Sequence, residues 1–183
     1  PMCGEKEVNE AVQSAQSAYS KWSQMPVSSR ANIIFKYRNI LEAHLEEIAK
    51  LITLESGKTM DEARGDVRRG VEMVEYACGI TQLTKGENIS QLAEFIDGQT
   101  IREPVGVCAG ITPFNFPAMI PLWMFPMSIA CGNTFILKPS EKVPLTANRL
   151  AELFLEAGLP EGVLNIIHGG QEASFPSRSR ESL

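Results

Sequence analysis

Histidine is nearly missing from this 183-residue chain, which holds only His44 and His168. Cysteine is scarce as well: Cys3, Cys78, Cys108 and Cys131 stand far apart, and no C-x-x-C pair occurs. Ligands so few and so scattered argue against a zinc site or a disulfide scaffold, and reduced thiols in an intracellular protein are the plain reading. A surplus of positive charge is missing too. Here 17 Lys and Arg face 22 Asp and Glu, a net of −5. Neutralising nucleic-acid phosphates needs a basic excess on some face, so a nucleic-acid partner is not expected. The G-x-G-x-x-G dinucleotide fingerprint is absent, since Gly106 and Gly110 have the wrong spacing. No basic region followed by an apolar core opens the chain, so no signal peptide is expected; Pro1 is not a start residue, which leaves room for an upstream piece.

Charge disappears altogether over residues 104–137, a stretch of 34. About 20 apolar residues suffice to cross a bilayer. Here, however, Pro104, Pro113, Pro117, Pro121 and Pro126 break the run, and Gly106, Gly110 and Gly132 punctuate it. A lipid-exposed segment could not satisfy its backbone across so many breaks, so several short elements buried on all sides are expected, and no membrane partner. The remaining composition, 44% hydrophobic and 21% charged, is that of an ordinary globular domain.

The first half reads as helical. Val8, Val12, Ala15, Tyr19 and Trp22 form one apolar stripe at spacings of three and four. A second helix, capped by Ser28 or Ser29, carries Ile33, Ile34, Tyr37, Ile40 and Leu41; after a bend near His44 a third carries Leu45, Ile48 and Ile52 and stops at Gly57. Thr59 and Glu62 fit a capping box opening a fourth, with Val67, Val71, Val74 and Cys78 on its buried side. Residues 93–103 predict a hairpin around Asp97-Gly98. Strand and helix then alternate: strand at 105–111, a helix from Pro117 in its first turn to Cys131, strand at 134–137, helix at 145–156, strand at 163–167. The order β-α-β-α-β predicts an α/β fold, N-terminal helices packed on a Rossmann-like parallel sheet with right-handed crossovers and a β-hairpin between. Its boundaries are 1–86 for the helical part, 87–103 for the hairpin, 104–170 for the Rossmann-like core and 171–183 for a solvated tail.

Ligands of such sheets sit beyond the carboxyl ends of the strands. The polar residues of the apolar half gather there: Thr112 to Pro117 after the first strand, Lys138 to Lys142 after the second, His168-Gly169-Gly170 after the third. The Asn115 amide, between two aromatics, could donate to an oxyanion; equally, it could be a turn asparagine bonding its own backbone. Lys138 and Glu141 suit ribose hydroxyls, one donating and one accepting, or they form a solvated strand end. None of the four cysteines has a base adjacent in sequence, so none is assigned as a nucleophile.

Residues 105–141 resemble the cofactor-binding segment of the aldehyde dehydrogenase superfamily. The string 113–117, PFNFP, matches its P-[WF]-N-[FY]-P turn, and Gly132-Asn133-Thr134 followed by Lys138-Pro139-Ser140-Glu141 matches its second strand. The longer string PFNFPAMIPLWMFP resembles the methylmalonate-semialdehyde dehydrogenase branch, as do IAKLITLESGK at 48–58 and GDVRRG at 65–70. The resemblance covers residues 5–170. It implies NAD- and coenzyme A-dependent oxidation of methylmalonate or malonate semialdehyde to propionyl- or acetyl-CoA with loss of carbon dioxide. A cysteine thiolate adds to the aldehyde, and coenzyme A takes the acyl group from the thioester. Asn115 becomes the oxyanion donor, Lys138 and Glu141 contacts of the adenosine ribose with Lys142 beside them, and Thr112 and Phe114 line the dinucleotide through their backbone. Arg69 either faces the substrate channel, gripping a carboxylate, or is a surface arginine beside Arg68.

Family members continue well past this length, and the missing part carries the nucleophilic cysteine, a Gly-Ser turn at the pyrophosphate and a later glutamate. The chain alone is therefore expected to be inactive. Ser174 to Arg180 matches nothing in the family. A hydrolytic aldehyde dehydrogenase and a non-catalytic NAD-binding fragment are the alternatives. The full-length form is expected to be a homo-oligomer, since the hairpin resembles segments near subunit contacts. A bacterial source implies cytoplasm, a eukaryotic one the mitochondrial matrix.

Overall fold

A computed structural model describes residues 2–170; the expected tail lies outside them. Four long helices come first: α1 (Glu5–Trp22), α2 (Val27–Ala43), α3 (Leu45–Ser56) and α4 (Met60–Cys78). The short helix α5 (Ile80–Leu83), absent from the sequence reading, leads to a hairpin of β1 (Asn88–Ala93) and β2 (Ile96–Gln99). Then follow β3 (Val107–Ile111), α6 (Met119–Ala130), β4 (Thr134–Lys138), α7 (Pro144–Glu156) and β5 (Leu164–Ile166).

Local chemistry sets most boundaries. At α4 the expected capping box forms, with Glu62 N–H donating to Thr59 Oγ1 at 3.3 Å and Thr59 N–H to the Glu62 carboxylate at 3.0 Å. Gly57 ends α3 in the left-handed region, φ 75°, where glycine carries no Cβ penalty. Helix α2 starts two or three residues earlier than expected. The Pro26 carbonyl already accepts from Ser29 and Arg30 N–H, so Pro26 and neither serine opens it. Pro117 lies just outside α6, whose N-cap is Ala118.

The hairpin turn is also displaced from its expected place. Ala93 pairs with Ile96, so Glu94-Phe95 make the turn, with Phe95 at φ 62°. Asp97 instead spends its carboxylate on Gln91 N–H at 2.8 Å, next to the irregularity between Ile89 and Ala93, and Gly98 is a paired strand residue opposite Ile89. The local Asp-Gly signal lost to a bulge that its own side chain helps hold.

The three strands β3-β4-β5 are parallel and in chain order, with Ala109 opposite Ile136 and Ile136 opposite Asn165. Helix α1 packs on one face, whereas α6 and α7 pack on the other together with the remaining N-terminal helices. Strand periodicity explains the division. Ile136 joins Ala15 and Ile167 beneath α1, while Phe135 and Leu137 join the main core. That core centres on Trp22, Tyr37, Phe125 and Phe154, all fully buried. Their polar atoms are satisfied: Trp22 Nε1 donates to Ile129 O at 2.9 Å and Tyr37 OH to Leu150 O at 3.0 Å. Among the described residues no helix is long and apolar enough to cross a membrane.

Candidate active site

The carboxyl ends of β3 and β4 lie side by side, because Ile111 pairs with Lys138. Thr112, buried, prolongs that pairing by donating its N–H to Lys138 O at 3.1 Å. The next loops lean on each other, with Lys142 Nζ 4.7 Å from the centroid of the Phe114 ring. A cation over an aromatic face is attracted by the ring quadrupole. Thr112, Phe114, Lys138, Glu141 and Lys142 thus lie together at the carboxyl ends of β3 and β4.

Lys138 is only 8% exposed. Its Nζ makes one long bond to Pro139 O at 3.3 Å and approaches the half-exposed Glu141 carboxylate at 4.0 Å. A nearly buried ammonium with that little to donate to, beside a carboxylate open to solvent, has capacity for a hydroxylated ligand. A cavity of about 350 Å³ opens beside Glu141, lined by Met2, Pro144, Leu145, Asn148 and His168. His168 shares a 2.7 Å hydrogen bond between its Nε2 and Asn148 Oδ1, and its buried Nδ1 has no partner. Burial foremost, and nearby positive charge including Lys138, push its pKa down.

Asn115 is exposed in the turn between β3 and α6. No hydrogen bond among the described residues engages its side chain, so it is not an asparagine bonding its own backbone. Arg69 lies elsewhere, exposed on α4. It lines a groove of about 550 Å³ with Glu72, Met73, Tyr76, Met119 and Trp123. Because Met119 opens α6 directly after the turn, the groove and Asn115 share one end of that helix. A larger groove of about 610 Å³ between α3 and α7 shares Leu145 and Asn148 with the cavity beside Glu141, and Arg149 within it is tied to Glu47, Glu152 and Glu156.

One residue that holds the turn is not singled out by the sequence. Asp66, buried on α4, accepts from Lys58 Nζ at 2.8 Å and from Met119 N–H at 2.7 Å. An acid on the same stripe as Ala63, Val67, Gly70 and Val74 was the available signal, because a carboxylate is rarely buried without partners. Cys78 is buried, its Sγ donating to Val74 O at 3.4 Å, and burial raises the pKa of both Cys78 and Cys131. Among the described residues no group of three or more His, Cys, Asp or Glu could hold a metal ion.

The profile of the aldehyde dehydrogenase family matches residues 1–175. The chain is 55% identical over 172 residues to malonate-semialdehyde dehydrogenase 2 of Geobacillus thermodenitrificans, covering 94% of this chain and 36% of that one. A methylmalonate-semialdehyde dehydrogenase structure from Oceanimonas doudoroffii superposes with a TM-score of 0.92 at 47% identity, over 94% of this chain and 36% of that one. A Sinorhizobium meliloti structure described as a methylmalonate-semialdehyde dehydrogenase complexed with NAD gives a TM-score of 0.92 at 46% identity, over 94% and 35%. The chain therefore spans about a third of the length of its relatives (36% for the first). With the family's profile matching nearly the whole sequence, the chain belongs to the aldehyde dehydrogenase family.

Proposed function

We propose that this chain forms the cofactor-binding part of a CoA-acylating dehydrogenase of malonate or methylmalonate semialdehyde. The observation that carries the reading is the meeting of the Asn115 turn with the Lys138–Glu141 strand end at one edge of the sheet. The donor set fits NAD: Lys138 Nζ would donate to, and Glu141 accept from, the hydroxyls of the adenosine ribose, with Lys142 beside them and the backbone of Thr112 and Phe114 lining the dinucleotide. When bound, NAD supplies the hydride acceptor.

The Asn115 amide donates to the aldehyde oxygen as negative charge develops on it, an interaction strongest away from bulk water. Arg69 offers the substrate carboxylate a two-pronged guanidinium contact from the groove beside Trp123. Its carbonyl is held by Trp123 Nε1 at 3.2 Å, which fixes that part of α4 against α6. Coenzyme A is read as the acyl acceptor, giving propionyl- or acetyl-CoA and carbon dioxide. The hairpin exposes Ile89, Leu92, Phe95 and Ile96, an apolar surface suited to a second copy in a homo-oligomer. The bacterial relatives favour a cytoplasmic place for the whole protein.

The test is NADH formation by a chain of the relatives' full length carrying this sequence. Methylmalonate or malonate semialdehyde should give NADH and an acyl-CoA only when coenzyme A is present, and Asn115→Ala should lower kcat by about 10²–10³-fold. Release of a free acid without coenzyme A would replace the acylating reading with a hydrolytic one. An Asn115→Ala enzyme with parental kcat would remove the oxyanion role.

A further inference from the structure

Asp66 is the one acid in the fully buried class among the described residues, and both its oxygens are engaged at the start of α6. Helix α6 needs that help. Its N-cap is Ala118, whose side chain cannot accept from the first free N–H groups, and the Asp66 carboxylate accepts from Met119 N–H in its place. The negative charge also sits where the helix dipole favours it. On its other side Asp66 holds Lys58, and Lys58 Nζ lies 4.2 Å from the centroid of the Phe116 ring. Phe116 immediately follows Asn115. One buried carboxylate thus grips the turn at two points, through Met119 N–H and through Lys58 upon Phe116, while Asn115 has no side-chain bond of its own.

We propose that Asp66, acting with Lys58, is a positioning residue that fixes the direction of the Asn115 amide donors by locking residues 116–119 behind them. The inference rests on Asn115 being the oxyanion donor. A ligand-free amide on an exposed turn can point productively only if its backbone is held, and misplacement by about 1 Å costs on the order of 10²-fold in rate. Lys58, part-exposed, contributes the ring contact, and the pair keeps its geometry because the fully buried Asp66 carboxylate cannot be left without a partner.

The experiment uses a chain of the relatives' full length with Asp66→Asn, Asn115→Ala and the double variant. Asp66→Asn should lower kcat by roughly 10–10²-fold and leave the aldehyde KM within about twofold, as for an interaction felt in the transition state. On the Asn115→Ala background the same change should lower kcat by less than about twofold, since coupled residues do not add. Equal losses on both backgrounds, or a parental kcat in Asp66→Asn, overturn the proposal. Asn115→Ala with parental kcat overturns the oxyanion reading itself, which is a separate failure. Should Asp66→Asn not fold, Lys58→Gln is scored by the same cycle, because its amide can still donate to Asp66 while the positive charge on Phe116 and on the carboxylate is lost.

Discussion

Phe154→Ala should cost about 3–5 kcal/mol of stability, the usual range for deleting a buried aromatic ring. Phe154, fully buried on α7, stacks on Tyr37 of α2 with centroids 4.0 Å apart and planes 11° apart, and lies 5.9 Å from Phe125 of α6. One ring thereby joins both crossover helices to the N-terminal helices. The hole it leaves cannot close easily, since Tyr37 is pinned by its hydroxyl to Leu150 O and the opposite wall is the Phe125 ring. With domains typically stable by only 5–15 kcal/mol, and each kcal/mol worth about 2–4 °C at this size, the melt should fall by roughly 6–20 °C. Leu155→Ala, one residue on and half-exposed, is the control and should stay within about 0.5 kcal/mol. Thermal melts by circular dichroism read both. Equal midpoints for Phe154→Ala and the parent would mean that these rings do not organise the core.

The elements legible from sequence were those whose cause is local. Helices α1, α3 and α4 follow from stripes and end signals within a few residues of each boundary, and the alternation of β3-α6-β4-α7-β5 follows from period and punctuation. The hairpin turn was misplaced because Asp97 bonds six residues back to Gln91, a contact that turn propensity does not encode. The opening of α2 was misplaced because a proline carbonyl took the role assigned to a serine side chain.

The same distinction governs the site. Thr112, Phe114, Lys138, Glu141 and Lys142 lie next to strand ends, so placing the strands places them. For Asn115 the sequence leaves two roles open, and the structure adds that no local side-chain bond among the described residues engages it. Asp66 was hidden because its partner Met119 is 53 residues away. Glu55 is a parallel case. From α3 it accepts Leu145 N–H at 2.8 Å and Thr146 N–H at 3.0 Å, opening α7 as Asp66 opens α6. Both crossover helices thus take their caps from acids of the N-terminal half, which makes that half part of the site's framework as well as of the core.

A polypeptide of these 183 residues, supplied with NAD, coenzyme A and methylmalonate semialdehyde, should form no NADH above the blank. Covalent aldehyde oxidation needs a thiolate beside the oxyanion donor, and no described cysteine is placed there. Cys131 caps the far end of α6, some 12 residues from its start, or about 18 Å at 1.5 Å per residue. Cys78 ends α4, again 12 residues beyond Asp66, and is buried as a thiol. Cys108 lies within β3, paired with Phe135 in the body of the sheet. Cys3 donates its N–H to His168 O beyond β5, with β4 between it and the strand that leads to Asn115. Loss of a nucleophile costs on the order of 10⁶-fold in kcat, beyond what one amide and a ribose contact can restore. Fluorescence titration with NAD on the same sample separates binding from turnover. Weak binding abolished by Lys138→Ala, without NADH formation, is the expected pair of results. Semialdehyde- and CoA-dependent NADH from this polypeptide would require a nucleophile among these four thiols and would overturn the reading of the chain as the cofactor-binding part of its enzyme.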